Sequence, residues 1–245
     1  GAGGRGGRLG GYYALKYYRG FDALVANTRD IQAWIVAQGW PGERVRYIPN
    51  FAEPGPEPAA SRASLDTPRD APLFLAMGRL HQSKGHDVSL AALARLPEAY
   101  LWIAGSGPLE TELKALAARL GVAERVRFLG WRADASALYR AADACLFPSR
   151  FEPLGNVVIQ AWAHGLPIVA AASRGPSDMI TDQVDGLLVA VDDDQALAEA
   201  AGRLIAEPGL GTRLAQAGAQ RVAAEFSKAR VIAEWRMLLA TFGAV

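Results

Sequence analysis

The sequence is poor in the residues that build covalent or metal-based scaffolds. A single cysteine, Cys145, among 245 residues excludes a disulfide framework and a cysteine-only zinc site. Three histidines, at 81, 86 and 164, are too scattered for a histidine-based metal cluster. No apolar run reaches the length of a membrane span and no signal peptide is visible, so a reducing, cytoplasmic setting is expected. An excess of one charge is lacking too. Twenty-six basic residues face 25 acidic ones, a net charge of +1, which leaves no field to attract nucleic acid as a partner. What remains is ordinary globular usage, 51% apolar and 21% charged, which excludes a disordered chain, a collagen and a coiled coil.

The charge is unevenly placed. Residues 1–50 hold seven basic and three acidic residues, so the other 195 carry a small negative balance. That basic start is the one hint of peripheral contact with the inner face of a membrane. The opening Gly1-Ala2-Gly3-Gly4-Arg5-Gly6-Gly7 is low in complexity, so 1–11 is expected to be a flexible or added segment. Prolines at 54, 56, 58, 68 and 72 mark 51–72 as an extended linker, and a domain boundary is expected there.

Before the linker, a short helix over 12–19, strands over 23–26 and 45–48, and a helix over 29–38 capped by Asn27 or Thr28 form a first piece, 12–50. After it, short apolar runs without alternation predict strands at 73–77, 100–104, 126–129, 144–147, 167–171 and 186–189. Helices are predicted between them at 87–96, 109–120, 135–142 and 156–164, with two or three more over 194–242. Apolar strands alternating with helices predict an α/β fold, a Rossmann-like parallel sheet flanked by helices over 73–226. The last helix carries an apolar stripe, Val231, Trp235, Leu238, Leu239 and Phe242. It either packs on its own domain or, as 227–245, crosses to the first.

In open parallel sheets, ligands sit beyond the carboxyl ends of the strands. Three post-strand loops stand out. In Gly78-Arg79-Leu80-His81-Gln82-Ser83-Lys84-Gly85, glycines flank two cations. That pattern favours a grip on a diphosphate over two solvated surface charges. In Gly105-Ser106-Gly107-Pro108, half a dinucleotide fingerprint appears, but Glu110 replaces the third glycine. The next strand ends in Gly130-Trp131 rather than an acid, which demotes a dehydrogenase. In Phe147-Pro148-Ser149-Arg150-Phe151-Glu152-Pro153-Leu154-Gly155-Asn156, a glutamate precedes a helix start. The N–H groups of Leu154, Gly155 and Asn156 there are expected to be unpaired and to attract phosphate. If 152–160 were helical throughout, Glu152 and Gln160 would be separated by about 12 Å of rise, enough to span a diphosphate. Without a ligand, Glu152 reads as a dipole-stabilised helix-start glutamate and Gln160 as an ordinary surface residue. His164 reads as a structural cation or cap at a helix end, and Asp178 as a helix cap.

Together with Val126-Arg127-Phe128-Leu129-Gly130, Asp185-Gly186-Leu187-Leu188-Val189 and Tyr47-Ile48-Pro49-Asn50, these motifs resemble the retaining glycosyltransferases of family 4, which have the GT-B fold. Order and spacing match over roughly 12–242. The resemblance implies that Arg79 and Lys84 hold the donor's diphosphate and that Glu152 contacts the donor sugar, these three forming the catalytic set. Gly78, Gly105, Gly107, Leu154, Gly155, Asn156 and Gln160 would line the donor, with Phe128, Trp131 and Arg132 flanking its base. It implies metal-independent transfer of a hexose with retained anomeric configuration and no required cofactor. The substrate would be a nucleotide-diphosphate sugar, a UDP-sugar ahead of a GDP- or ADP-sugar. The acceptor would be a glycan or lipid-linked glycan, as in lipopolysaccharide or other surface-glycan assembly. Two features depart from the family. Gln160 stands where its E-x7-E motif has a second glutamate, and 12–50 represents only the end of its first domain. The chain is then expected as a donor-binding fragment, served by a missing N-terminal half or partner chain. The alternative is a non-catalytic nucleotide-sugar-binding module acting with such a partner.

Overall fold

The computed structural model describes residues 15–243, so the expectation for 1–11 and the first residues of the 12–19 helix lie outside it. The chain divides into two compact units, Gly1–Asn50 with Ala233–Val245, and Phe51–Ile232.

In the first unit, β1 (Leu24–Ala26) and β2 (Val45–Tyr47) pair in parallel through the crossover helix α1 (Arg29–Ala37). Thr28 caps that helix, its Oγ1 accepting from the Ile31 N–H at 3.0 Å, and Gly39 ends it at φ +91°. Leu15–Tyr18 forms a 3-10 turn. Ala26, Ile35 and Val45 are the buried centre, with Leu15, Leu24, Ile31 and Trp40 packed on them.

The second unit is the parallel α/β sheet expected from the sequence. Its strands are β3 (Leu73–Met77), β4 (Tyr100–Ala104), β5 (Val126–Gly130), β6 (Ala144–Phe147), β7 (Ile168–Ala171) and β8 (Leu187–Val189). They lie in the order β5-β4-β3-β6-β7-β8, with every pair parallel. Each central strand feeds two cores, because successive side chains point to opposite faces. Phe74 and Ala76 meet Val88, Leu90 and Leu93 of α2 (His86–Ala94), Leu113 of α3 (Glu110–Arg119) and Leu197 of α7 (Asp194–Ala206). Leu73 and Leu75 meet Leu138 of α4 (Ala135–Ala141) and Val158, Ile159 and Trp162 of α5 (Asn156–Ala163). Burial on both faces is why these strands read as continuous apolar runs.

Two features differ from the sequence reading, and a third settles a choice it left open. A six-residue helix, α6 (Arg174–Met179), fills a stretch where none is expected. Its Gly-Pro pair conceals it from propensity, and the Gly175 N–H is anchored on the Glu152 carbonyl at 2.8 Å. Residues 51–72 have little regular structure, yet they are bonded along their length to the rest of the second unit. Arg62 donates to the Ala141 carbonyl and to Asp143, the Gly55 N–H to Ser136 Oγ at 2.7 Å, and Trp102 Nε1 to Thr67 Oγ1 at 2.9 Å. The 194–242 region resolves into α7, α8 (Pro208–Glu225) and α9 (Lys228–Ala240).

Candidate functional site

The strand order reverses direction at β3, which has β4 on one side and β6 on the other. Such a switch point opens a crevice between the loops that leave the two strands. Here those loops are 78–85 after β3 and 148–155 after β6, which carry Arg79, Lys84 and Glu152.

Gly85 brings the loops together. It adopts φ +66°, and a Cβ there would lie 2.1 Å from the Pro148 carbonyl oxygen, so only glycine fits. The backbone N–H groups of Arg150 and Phe151 both donate to the Ser83 carbonyl, at 2.9 and 3.2 Å. With the backbones joined, Lys84 Nζ stands 2.5 Å from Glu152 Oε2. The other carboxylate oxygen, Oε1, accepts from the Gly155 N–H at 3.2 Å. Lys84 and Glu152 therefore meet as expected of a shared site. Arg79 is exposed beside them in sequence, and its guanidinium has no partner among the described residues.

The helix starts where the sequence reading places it, at Asn156, but the backbone leading into it differs from the expectation of free N–H groups. Gly155 sits at φ +87° and α5 begins only at Asn156, so 152–160 is not one helix and the 12 Å rise does not apply. Nor is the Gly155 N–H unpaired, since Glu152 caps it from three residues upstream. Leu154 is buried and Asn156 exposed at this start. Gln160, on α5, accepts from the Tyr139 hydroxyl at 3.0 Å through its Oε1. Burial of Tyr139, with Cys145 nearby, pushes its pKa well above the ordinary phenol range, so the hydroxyl remains a donor.

The glycines after β3 and β4 serve loop packing. Gly78 and Gly105 adopt φ +151° and +148°, and a Cβ on Gly105 would lie 1.9 Å from the Gly78 carbonyl oxygen. One on Gly107 would lie 2.4 Å from the Leu80 oxygen. The Leu80 N–H donates to Ser106 O at 3.0 Å, and the Leu109 N–H returns to Leu80 O at 3.1 Å. These contacts lock the loops after β3 and β4 together.

The residues expected near a base sit farther along the sheet. β5 is an edge strand of the sheet, two positions from β3. Phe128 is half-buried on the core beneath Lys114, and Trp131 is 75% exposed. Arg132 makes a two-pronged contact with Asp134 at 2.7 and 2.5 Å, so its charge is matched within its own loop.

His164 takes the cap alternative of the sequence reading rather than the cation: it is the C-cap of α5. Burial lowers its pKa, its ring stacks on Tyr139, and Nδ1 and Nε2 lie 2.7 Å from Gln160 O and 2.9 Å from Ser136 Oγ. A carbonyl only accepts, so Nδ1 carries the proton and Nε2 accepts a hydrogen bond from the Ser136 hydroxyl. Asp178 is exposed near the end of α6, whose N-cap is Ser173, so it does not cap that helix start.

The sequence reading assigned no role to Arg150. This side chain ties Asp87, Asp192 and the Gln82 carbonyl to the Glu152 loop. Its position two residues before the motif glutamate was its only sequence signal. Among the described residues no group of three His, Cys, Asp or Glu side chains is placed to hold a metal ion. No helix there is long and apolar enough to cross a membrane.

A parallel sheet flanked by helices, with its order reversing at β3, is a Rossmann-like unit of the kind found in the GT-B fold. The profile described as "Glycosyl transferases group 1" matches residues 71–207, and the chain belongs to that family. It is 40% identical over 235 residues to the lipopolysaccharide core biosynthesis glycosyltransferase LpsE of Rhizobium meliloti, covering 96% of this chain and 69% of that protein. It is 38% identical to LpsD of the same organism, covering 90% of this chain and 64% of LpsD. Among solved structures, Anabaena HepE in complex with UDP superposes with a TM-score of 0.82 at 24% identity, over 90% of this chain and 64% of HepE. The chain thus spans about two thirds of the length of these relatives.

Proposed function

We propose that this chain is the donor-binding part of a glycosyltransferase that moves a hexose from a nucleotide-diphosphate sugar to a glycan or lipid-linked acceptor. The observation that carries the reading is the Lys84–Glu152 pair at the switch point, with Arg79, unpartnered among the described residues, on the same loop as Lys84. Two cations at one strand end offset the charge that grows on a departing diphosphate, and they are aimed there before the bond breaks. Glu152 orients the sugar and steadies positive charge developing at its ring. Leu154, Gly155 and Asn156 line the donor at the start of α5, and Gln160 reaches its ribose. Phe128, Trp131 and Arg132 flank the base.

A UDP-sugar is the first candidate, since HepE binds UDP. The relatives' names point to lipopolysaccharide core assembly. Transfer with retained configuration, without a metal, at the cytoplasmic side of the membrane completes the reading. Residues 12–50 are read as the end of an acceptor domain whose remainder, or a partner chain, completes the acceptor site. The terminal helix 227–245 is read as crossing to that domain.

Calorimetric titration with UDP, GDP and ADP, with and without magnesium, tests this. Saturable binding of one nucleotide that ignores magnesium, and is weakened about ten- to a hundredfold in Arg79→Ala, is expected for one lost arginine–phosphate bond. Donor binding without transfer, in the presence of the completing half, supports a non-catalytic module instead.

A further inference from the structure

We propose that Arg150 is a positioning residue of this crevice, holding the Lys84 loop in register with Glu152 without itself touching the diphosphate. The inference rests on the nucleotide-binding reading above. Four of the five guanidinium N–H groups are already committed. Nε donates to Asp192 Oδ1 at 2.5 Å, one terminal nitrogen to the Gln82 carbonyl and Asp87 Oδ1, both at 2.8 Å, and the other to Asp87 Oδ2 at 2.5 Å.

These acceptors come from three separate segments: the 3-10 turn Gln82–Lys84, the first turn of α2, and the turn between β8 and α7, where Asp192 adopts φ +66°. Two flanking carboxylates neutralise the cation, which sets Arg150 apart from Arg79, unpartnered among the described residues. It is therefore a poor phosphate ligand and a good staple.

Its reach explains the short Lys84–Glu152 distance. Gln82 lies two residues before Lys84, and Arg150 two residues before Glu152. The side chain bonds the Gln82 carbonyl while the Arg150 and Phe151 N–H groups bond that of Ser83, so side chain and backbone grip the same turn. The fork geometry is essential to this, because a lysine ammonium keeps the charge but cannot bridge Asp87 in two-pronged fashion while reaching Asp192 and Gln82.

Two readouts test it on the wild-type chain, Lys84→Ala, Arg150→Lys and the double variant. In UDP titrations, Arg150→Lys is expected to weaken binding about tenfold, the scale of a small misplacement of a binding group. The double variant should bind as Lys84→Ala does, within about twofold, because Arg150 acts through Lys84. In ligand-free hydrogen exchange, the Phe151 amide should exchange at least about tenfold faster in Arg150→Lys, while amides of β4 keep their wild-type protection. Unchanged affinity, losses that multiply in the double variant, or unchanged exchange at Phe151 each overturn the proposal. If the wild-type chain binds no nucleotide, the nucleotide reading fails, and with it Arg150's role in binding. Exchange at Phe151 then decides the loop clamp by itself.

Discussion

The Lys84 ammonium stands 2.5 Å from Oε2 of Glu152, across 68 residues of sequence. The pair is partly shielded, with side chains 24% and 12% exposed. A diphosphate entering the crevice competes with Glu152 for the lysine, so the ion pair also occupies the proposed phosphate position until a donor arrives.

Glu152→Gln follows from this competition. It removes the lysine's resident anion and the carboxylate proposed to face the sugar. The account expects UDP-glucose to bind at least about tenfold more weakly, the value of one charge-assisted hydrogen bond, while free UDP binds no worse than to wild type. Calorimetry with both ligands reads the difference, and equal losses would remove Glu152 from the sugar.

The glycines separate packing from conformation. Gly105→Ala combines φ +148° with a Cβ 1.9 Å from the Gly78 oxygen, so it should cost more than about 3 kcal/mol in urea unfolding. Gly130→Ala, at φ +63° with nothing within 4 Å, should cost only about 1–2 kcal/mol. Similar costs would mean that the contact between the loops after β3 and β4 is not as tight as described.

A buried histidine, His86, and a half-buried one, His164, give the fold an acid-side weakness. Burial lowers the pKa of both His86 and His164 from the ordinary 6.5. The unfolded chain then binds more protons than the folded one just below pH 6.5, so stability is full above that value. It falls as the pH drops toward the folded-state values, with a slope of at most about 1.4 kcal/mol per pH unit for each histidine. Unfolding at pH 7.5 and 5.5 should show this loss, and it should shrink in the His86→Gln, His164→Gln double variant. A double variant as acid-sensitive as wild type would assign the effect to other groups.

The fold was legible because its strands declare themselves locally. Runs such as Leu73–Met77 and Tyr100–Ala104 are apolar at nearly every position, and the structure buries them on both faces. Loops with glycine-flanked cations pointed to the crevice for the same local reason. What stayed hidden was long-range. Nothing near Glu152 in sequence announces Lys84, and nothing near Arg150 announces Asp87 or Asp192. The proline-rich 51–72 read as a spacer because its restraints are side-chain bonds to distant carbonyls, such as Arg62 on Ala141. The Glu152 cap on the Gly155 N–H was hidden too, because it depends on the left-handed Gly155 that precedes α5.

The measurement that tests the central claim most directly is a crystal structure of the chain grown with saturating UDP. The account predicts the diphosphate between the strand ends of β3 and β6, within hydrogen-bond distance of Arg79 and Lys84, with Lys84 turned from Glu152 toward phosphate. UDP bound away from both cations, or a crevice free of nucleotide with the Lys84–Glu152 pair intact, would contradict it.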